Sequence, residues 1–329
     1  MKVALDSRAA SDRGGVGRYS RCILKALRET AAASDEVLDT NRPSTTVRAK
    51  GPDVFHAPWI EGAMLRSPCP MVVTIHDMAA QKRRSELLRT SLRLRLRPLA
   101  LQRAAGVIVP SEAVAGDAIE HLRLEPSRVA VIPEAADEAM YPREAGEIRT
   151  ASERHGLPDR YLLWVGGLEH PDPANHIARL AATPRELPLV LVGPTRPWAQ
   201  RLPGVIVTGQ VPDDELAAIY SGAHALLVSS EQDGFGLAAV EALSCGTPVV
   251  AADGPALREV LGERATFVPA GDMAALVAAA QTASRPAPPA PRWSWGDAAR
   301  ATWAVYAAAA EAGSSRSAPS SRPLRPAAG

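Results

Sequence analysis

Asp233 and Glu241 lie eight positions apart around a glycine-rich turn in the stretch DGFGLAAVEALSCGTPVVAAD, Asp233 to Asp253. Two carboxylates at that spacing can accept hydrogen bonds from hydroxyls of a bound ligand or steer charge during a reaction. Gly234 and Gly236 carry no Cβ, so the backbone can come close to whatever lies over the turn. Leu237 to Ser244 reads as a short helix of good formers. Cys245-Gly246 ends it, and Pro248 forbids its continuation. Free N–H groups at the start of that helix would face an anion held over the turn. The bland alternative is a loop followed by an ordinary surface helix. The acid spacing, the aromatic Phe235 between the glycines and the CGTPVV exit together favour a ligand site.

Three other places could take part. The loop GGVGRY, Gly14 to Tyr19, could suggest a dinucleotide fingerprint, but Ser20 stands at the third glycine position, and a tight strand-to-helix turn is the plain reading. The run VVTIHDMA ends a buried strand at His76-Asp77. Ligands of doubly wound sheets sit beyond the carboxyl ends of strands, which suits a polar histidine. His56, in DVFHAP, closes another strand and reads as cleft lining. Lys82 to Arg103 holds eight cations and one acid, Glu86. That basic amphipathic stretch could rest on an anionic membrane surface, hold an acidic acceptor, or simply be a solvated helix. Asp213 to Glu215 reads as helix capping, with Asp213 or Asp214 at the N-cap, rather than as a metal site. No metal is expected, and no nucleophile-base-orienter arrangement of the hydrolase kind is found.

The elements that must position these residues alternate. Strands are expected at Lys2 to Asp6, Asp53 to His56, Met71 to His76, Ala105 to Pro110 and Arg128 to Pro133, with a helix from about Arg18 to Arg28. A second unit starting near Ala151 has strands at Tyr161 to Gly166, Leu187 to Gly193, Val205 to Gly209, Ala225 to Ser229 and Pro248 to Ala252. Helices cover Glu215 to Tyr220 and Met273 to Ala283. Such alternation implies an α/β fold of two Rossmann-like, doubly wound parallel sheets. The boundaries follow: an N-terminal unit 1–150, a second unit 151–283, a Pro-rich linker 284–292, a terminal helix 293–312 and a disordered tail 313–329. The N-terminal unit looks abbreviated, because the chain between Arg28 and Asp53 has room for little more than one strand.

The 329 residues suffice for two domains with proper cores, and 46% hydrophobic with 22% charged residues suits a globular protein. The formal net charge of +1 argues against a nucleic-acid partner. Three distant cysteines, Cys22, Cys69 and Cys245, suggest a reducing compartment without disulfides or zinc. The N-terminus lacks the apolar core of a signal peptide, and no run of 18 or more apolar residues exists. A cytoplasmic location follows, with attachment to the inner face of the membrane open through the basic stretch.

The segment from Asp233 resembles the signature of retaining glycosyltransferases of family four, which have the GT-B fold. The family pattern is Glu, seven residues, Glu, with Gly-Phe-Gly-Leu after the first; here Asp233 takes the first Glu position and Glu241 the second. The resemblance implies a donor-side second domain and an acceptor-side N-terminal domain, with the terminal helix crossing back to the latter. It implies a catalytic set of His76, Asp233 and Glu241, in which His76 faces the donor sugar, Asp233 orients it and Glu241 binds the ribose hydroxyls. It implies a donor-binding set of Gly14, Gly15, Gly17, Gly167, Asn175, Gly209, Gly234, Phe235, Gly236 and Leu237. The amides of Phe235, Gly236 and Leu237 would contact the donor.

The function so implied is transfer of a sugar, with retention of configuration, from a nucleotide-diphosphate sugar to a hydroxyl acceptor. The donor is a substrate, and no cofactor is called for. The departing phosphate itself would accept the acceptor's proton. The sequence departs from the family in one respect: Ala174-Asn175 stand where Arg-Lys is common, and Gly167 where Arg occurs in some members. A charge-assisted hydrogen bond contributes about 1.5–3 kcal/mol, so losing two would weaken donor binding roughly a hundredfold or more. Helix N-termini and His170, His176 or Arg179 could compensate in part. Two alternatives stay open, a catalytically degenerate GT-B partner protein and a sugar-nucleotide epimerase.

Overall fold

The structure is a computed structural model that describes residues 1–12, 14–78, 92–169, 171 and 173–317. In the first domain β1 (Lys2–Asp6) leads into α1 (Gly15–Thr30), followed by β2 (Glu36–Thr40), α2 (Pro43–Lys50), β3 (Val54–Ala57) and β4 (Met71–Thr74). Then come α3 (Leu92–Gln102), β5 (Gly106–Val109), α4 (Glu112–Leu122) and β6 (Val129–Val131). The strands pair in parallel in the order β2-β1-β3-β4-β5-β6. Runs such as VFHA, MVVT and GVIV are buried along their whole length, as strands covered on both faces must be. The expected abbreviation is corrected here. Residues 31–53 fit both a strand and an eight-residue helix, because the connections are only a few residues long and α2 starts at Pro43, whose fixed φ suits a first turn.

The second domain begins with α5 (Ala145–His155), whose N-terminus is closed by a capping box between Glu144 and Glu147. It continues through β7 (Leu162–Val165), α6 (Ile177–Ala182), β8 (Leu189–Val192), β9 (Val205–Gly209), α7 (Asp213–Gly222) and β10 (Ala225–Val228). After these come α8 (Leu237–Ser244), β11 (Val249–Ala252), α9 (Pro255–Leu261), β12 (Ala265–Val268) and α10 (Met273–Gln281). The order β12-β11-β10-β7-β8-β9 is all parallel and reverses between β7 and β10, the switch point where such sheets hold ligands. β12 has only one buried residue in four and no apolar run to announce it, so it escapes a reading by hydrophobic pattern.

α11 (Trp295–Ser317) returns to the first domain and packs along α1. Trp295, Ala299 and Tyr306 are buried there in one cluster with Tyr19, Ile23 and Leu27. The helix runs to Ser317, through Gly313 and past the tail boundary expected there; residues 318–329 lie outside the described residues. Among the described residues no helix is long and apolar enough to cross a membrane. The basic stretch Lys82 to Arg103 falls largely outside the described residues. Of its described side chains, Arg97 pairs with Glu61 at 2.9 Å and Arg103 donates to the Leu65 carbonyl at 3.0 Å.

Candidate active site

A cavity of about 390 Å³ opens between the two domains, a size that holds a substrate molecule. Its second-domain wall is made of strand ends: Val165-Gly166 after β7, Val192 to Pro194 after β8, Gln210-Val211 after β9 and Ser230 after β10. The first domain contributes Gly14, Gly15, Val16, Arg18 and Arg21 from the start of α1, with His76, Asp77 and Glu134. The N-termini of α1 and α8 therefore face one space, and each brings partial positive charge.

Glu241 projects from α8 at the base of this cavity and is 2% exposed. The Tyr220 hydroxyl donates to its Oε2 at 3.1 Å, and Arg18 Nε lies 3.1 Å from Oε1. The Arg18 contact lacks hydrogen-bond geometry, so Oε1 is buried without a hydrogen bond among the described residues. Burial raises the carboxyl's pKa to about 7, against the pull of Arg18 and the Tyr220 hydroxyl. Arg18 itself crosses from the first domain, reaching Asp213 Oδ1 at 2.5 Å with Nη2. Its Nη1 is also buried without a hydrogen bond. Two buried, unsatisfied polar atoms, one acceptor and one charged donor, thus belong to two residues that line the cavity and touch each other.

Asp233 lines the cavity, but one of its oxygens is taken up by the turn itself. Its Oδ1 accepts from the amides of Phe235 at 3.1 Å and Gly236 at 2.6 Å, forming a local turn. Those two amides are consequently taken by the protein. The amides at Leu237 and Ala238 make no hydrogen bond among the described residues, and both residues line the cavity. Burial raises the Asp233 pKa, and the two amides oppose that rise. Phe235 is buried against Trp293, with ring centroids 5.4 Å apart.

The glycines divide by what occupies the place of their missing Cβ. At Gly234, which lines the cavity, that place lies 1.8 Å from the His76 carbonyl oxygen, so this glycine also lets the two domains meet. The Ser111 hydroxyl fixes the same spot by donating to the Gly234 carbonyl at 2.8 Å. Gly236 has φ 80°, the left-handed start of α8. Gly17 packs on the Asp12 carbonyl oxygen and does not line the cavity, whereas Gly14 and Gly15 do. Gly15 and Gly17 belong to the first turn of α1, because Gly14 is already its N-cap. Gly167 and Gly209 stand just outside the main cavity, beside lining residues Gly166 and Gln210; Asn175 lines it.

His76 lines the cavity with both ring nitrogens engaged: Nε2 donates to the Pro58 carbonyl at 2.9 Å, and Nδ1 is 3.0 Å from Glu134 Oε1. Burial pulls its pKa down, but the hydrogen bond and charge of Glu134 outweigh this and raise it. Its edge also meets the Tyr19 ring, centroids 4.6 Å apart. A ring nitrogen can reach a sugar here only by leaving one of these partners. His56, expected in the cleft lining, is instead fully buried. It is held between Tyr306 OH at 2.6 Å and Thr74 Oγ1 at 2.9 Å, and burial lowers its pKa to about 3. β3 is an inner strand covered by α11, which places its side chains in the core.

The cations named as compensation do not line the cavity: His176 pairs with Glu231 at 2.9 Å, and Arg179 donates to the Gly271 carbonyl at 2.8 Å. His170 lies outside the described residues. Asp213 is in the first turn of α7, with Pro212 at the N-cap, and pairs with Arg18 in place of the expected capping role. Arg18 and Arg21 went unnoticed in the sequence. The available signal was a helical i, i+3 pair of arginines directly after a glycine turn. No group of three or more metal-ligating side chains exists among the described residues.

Comparison with solved structures identifies the architecture. HepE of Anabaena, in a crystal structure with UDP and glucose, superposes with a TM-score of 0.65 at 19% identity, over 96% of this chain and 95% of that one. Sucrose-phosphate synthase of Thermosynechococcus elongatus gives a TM-score of 0.68 at 21% identity, over 96% and 98%. The chain has the GT-B glycosyltransferase fold. Family models agree: "Glycosyltransferase Family 4" matches residues 38–139 of the first GT-B domain, and "Glycosyl transferases group 1" matches residues 159–285 of the second. The MMP alpha-(1->4)-mannosyltransferase of Mycolicibacterium hassiacum is 29% identical over 230 residues, 63% of this chain and 53% of that protein. The chain thus spans about half the length of that relative.

Proposed function

We propose that this GT-B chain transfers a sugar, with retention, from a nucleotide-diphosphate sugar to a hydroxyl-bearing acceptor. The observation that carries this reading is Glu241. It is a buried carboxylate at the base of the interdomain cavity whose Oε1 lacks a hydrogen bond, next to the unengaged amides of Leu237 and Ala238. A ribose diol would supply the hydrogen bonds that Oε1 lacks, since an unsatisfied buried acceptor costs about 1–3 kcal/mol. The α8 N-terminus and the amides of Leu237 and Ala238 would then meet the charged part of the donor.

In this reading Asp233 shapes the turn that presents those amides, and His76 holds the opposite wall. The cleft excludes water and aligns donor with acceptor. The departing diphosphate would take the acceptor's proton, so no separate base is required. Solved relatives support the donor class: HepE is described with UDP and glucose and with UDP-glucose.

A second reading, a GT-B protein that binds partners without transferring sugar, is favoured by one observation. The cavity lining carries five carboxylates, Asp77, Glu134, Asp213, Asp233 and Glu241, against Arg18 and Arg21. Calorimetric titration of the full chain with UDP, GDP and ADP separates the two. Dissociation constants at or below the millimolar range are expected for one of them, followed by hydrolysis of a matching nucleotide sugar. Absence of binding by all three at millimolar ligand would defeat the transferase reading.

A further inference from the structure

We propose that Arg18 recognises the diphosphate of the donor, as the cross-cleft cation that stands in for the basic pair missing from the second domain. This rests on the glycosyltransferase reading of the cleft.

Among the described residues, the second domain's own wall at Gly166, Ala174 and Asn175 carries no cation. Arg18 enters from the other side, in the first turn of α1, and its side chain is 13% exposed. Two edges of its guanidinium are held, Nε near Glu241 and Nη2 on Asp213. The third, Nη1, is buried and without a hydrogen bond among the described residues. A charged donor left unsatisfied out of water is costly, and an anion placed against it removes that cost.

Position selects the kind of anion. In a nucleotide sugar the diphosphate is joined directly to the ribose, so a cation beside the ribose anchor lies within one sugar ring of the phosphates. The N-terminus of α1, at Gly14 and Gly15, faces the same space and adds partial positive charge. The two carboxylates also pre-orient the planar fork, so little side-chain freedom is lost when the anion arrives. They reduce the net charge of the group without filling Nη1, which suits Arg18 to donate a directed hydrogen bond. A residue that served only to tie the domains would affect a nucleoside and its diphosphate alike. A diphosphate contact affects the second alone.

The test is calorimetry on the full chain with three matched pairs, UDP with uridine, GDP with guanosine and ADP with adenosine. Arg18→Met and Arg18→Lys are measured beside the wild type, each checked for a cooperative thermal transition. The wild type is expected to bind the preferred diphosphate about 10–100-fold more tightly than its nucleoside. Arg18→Met should bring that ratio to within about threefold while nucleoside affinity stays within about threefold. Arg18→Lys should keep part of the ratio, because it retains the charge and loses the fork.

An undiminished ratio in folded Arg18→Met, or equal losses for nucleoside and diphosphate, would overturn the proposal. Should Arg18→Met fail to fold, an undiminished ratio in Arg18→Lys overturns it and a reduced one supports it. A wild type that binds nucleoside and diphosphate equally sinks this proposal and leaves the cleft reading intact. A wild type that binds none of the six ligands sinks both.

Discussion

At the scale of single residues, Glu241 and Asp233 show how one motif yields two kinds of carboxylate. Asp233 closes a turn on the amides of Phe235 and Gly236, and its work is structural in this state. Glu241 is held by Tyr220 at one oxygen, and its other oxygen lies beside Arg18 without a hydrogen bond. Its pKa of about 7 has a testable consequence. The ionised form accepts hydrogen bonds from hydroxyls more strongly than the neutral acid. Below pH 7 the neutral form prevails, so affinity for the preferred nucleoside diphosphate should rise about tenfold from pH 6 to pH 8. Glu241→Gln should bind weakly at both pH values and lose that dependence. Titration calorimetry at the two pH values checks it, and a profile unchanged in Glu241→Gln would remove Glu241 from the ribose role.

At the scale of elements, the first-domain wall of the cleft is three loops fastened by one side chain. His76 follows β4, Glu134 follows β6 and Pro58 follows β3; the imidazole ties all three. Its raised pKa means the folded state holds the proton more tightly than the unfolded chain. The stabilisation is therefore full below about pH 6.5, the unfolded value, and is lost as pH rises through the higher folded value. His76→Gln should cost about 1.5–3 kcal/mol at pH 6 and less at pH 9, since a charged hydrogen bond is lost only where the ring is charged. Urea unfolding at the two pH values measures the difference; an equal cost at both would show that Glu134 holds a neutral ring.

At the scale of the molecule, the closed arrangement depends on backbone meeting backbone across the cleft. Gly234 abuts the His76 carbonyl, Ser111 holds Gly234, and Glu259 from α9 accepts from the Glu112 and Ala113 amides at 2.8 and 3.0 Å, capping α4. A methyl at Gly234 would sit 1.8 Å from the His76 oxygen. Gly234 does not occupy the left-handed region, so alanine there is compatible with the local backbone and the conflict is between domains. Gly234→Ala should keep both domains folded and open the cleft, at a cost of about 1–3 kcal/mol in closure. Nucleoside diphosphate affinity should fall roughly tenfold, with a larger radius of gyration by small-angle scattering. Unchanged scattering and affinity would show that the two backbones need not meet.

The sequence by itself determined the alternation of strands and helices, the doubly wound class and the ends of most inner strands. Those follow from local periodicity and from glycine and proline punctuation, which act over a few residues. It also determined that the turn after Asp233 opens a helix, and it singled out Glu241, which lines the interdomain cavity. The tertiary structure alone decided the partners. Arg18 meets Asp213 across 195 residues of sequence, and His56 is buried because α11 returns from the far end of the chain to cover it. Gly234 is glycine on account of a carbonyl in the other domain. The edge strand β12 and the compressed β2–α2 pair lacked the hydrophobic signal that marks inner elements. Contacts between distant segments depend on how two finished domains are set against each other, and no local pattern of residues encodes that.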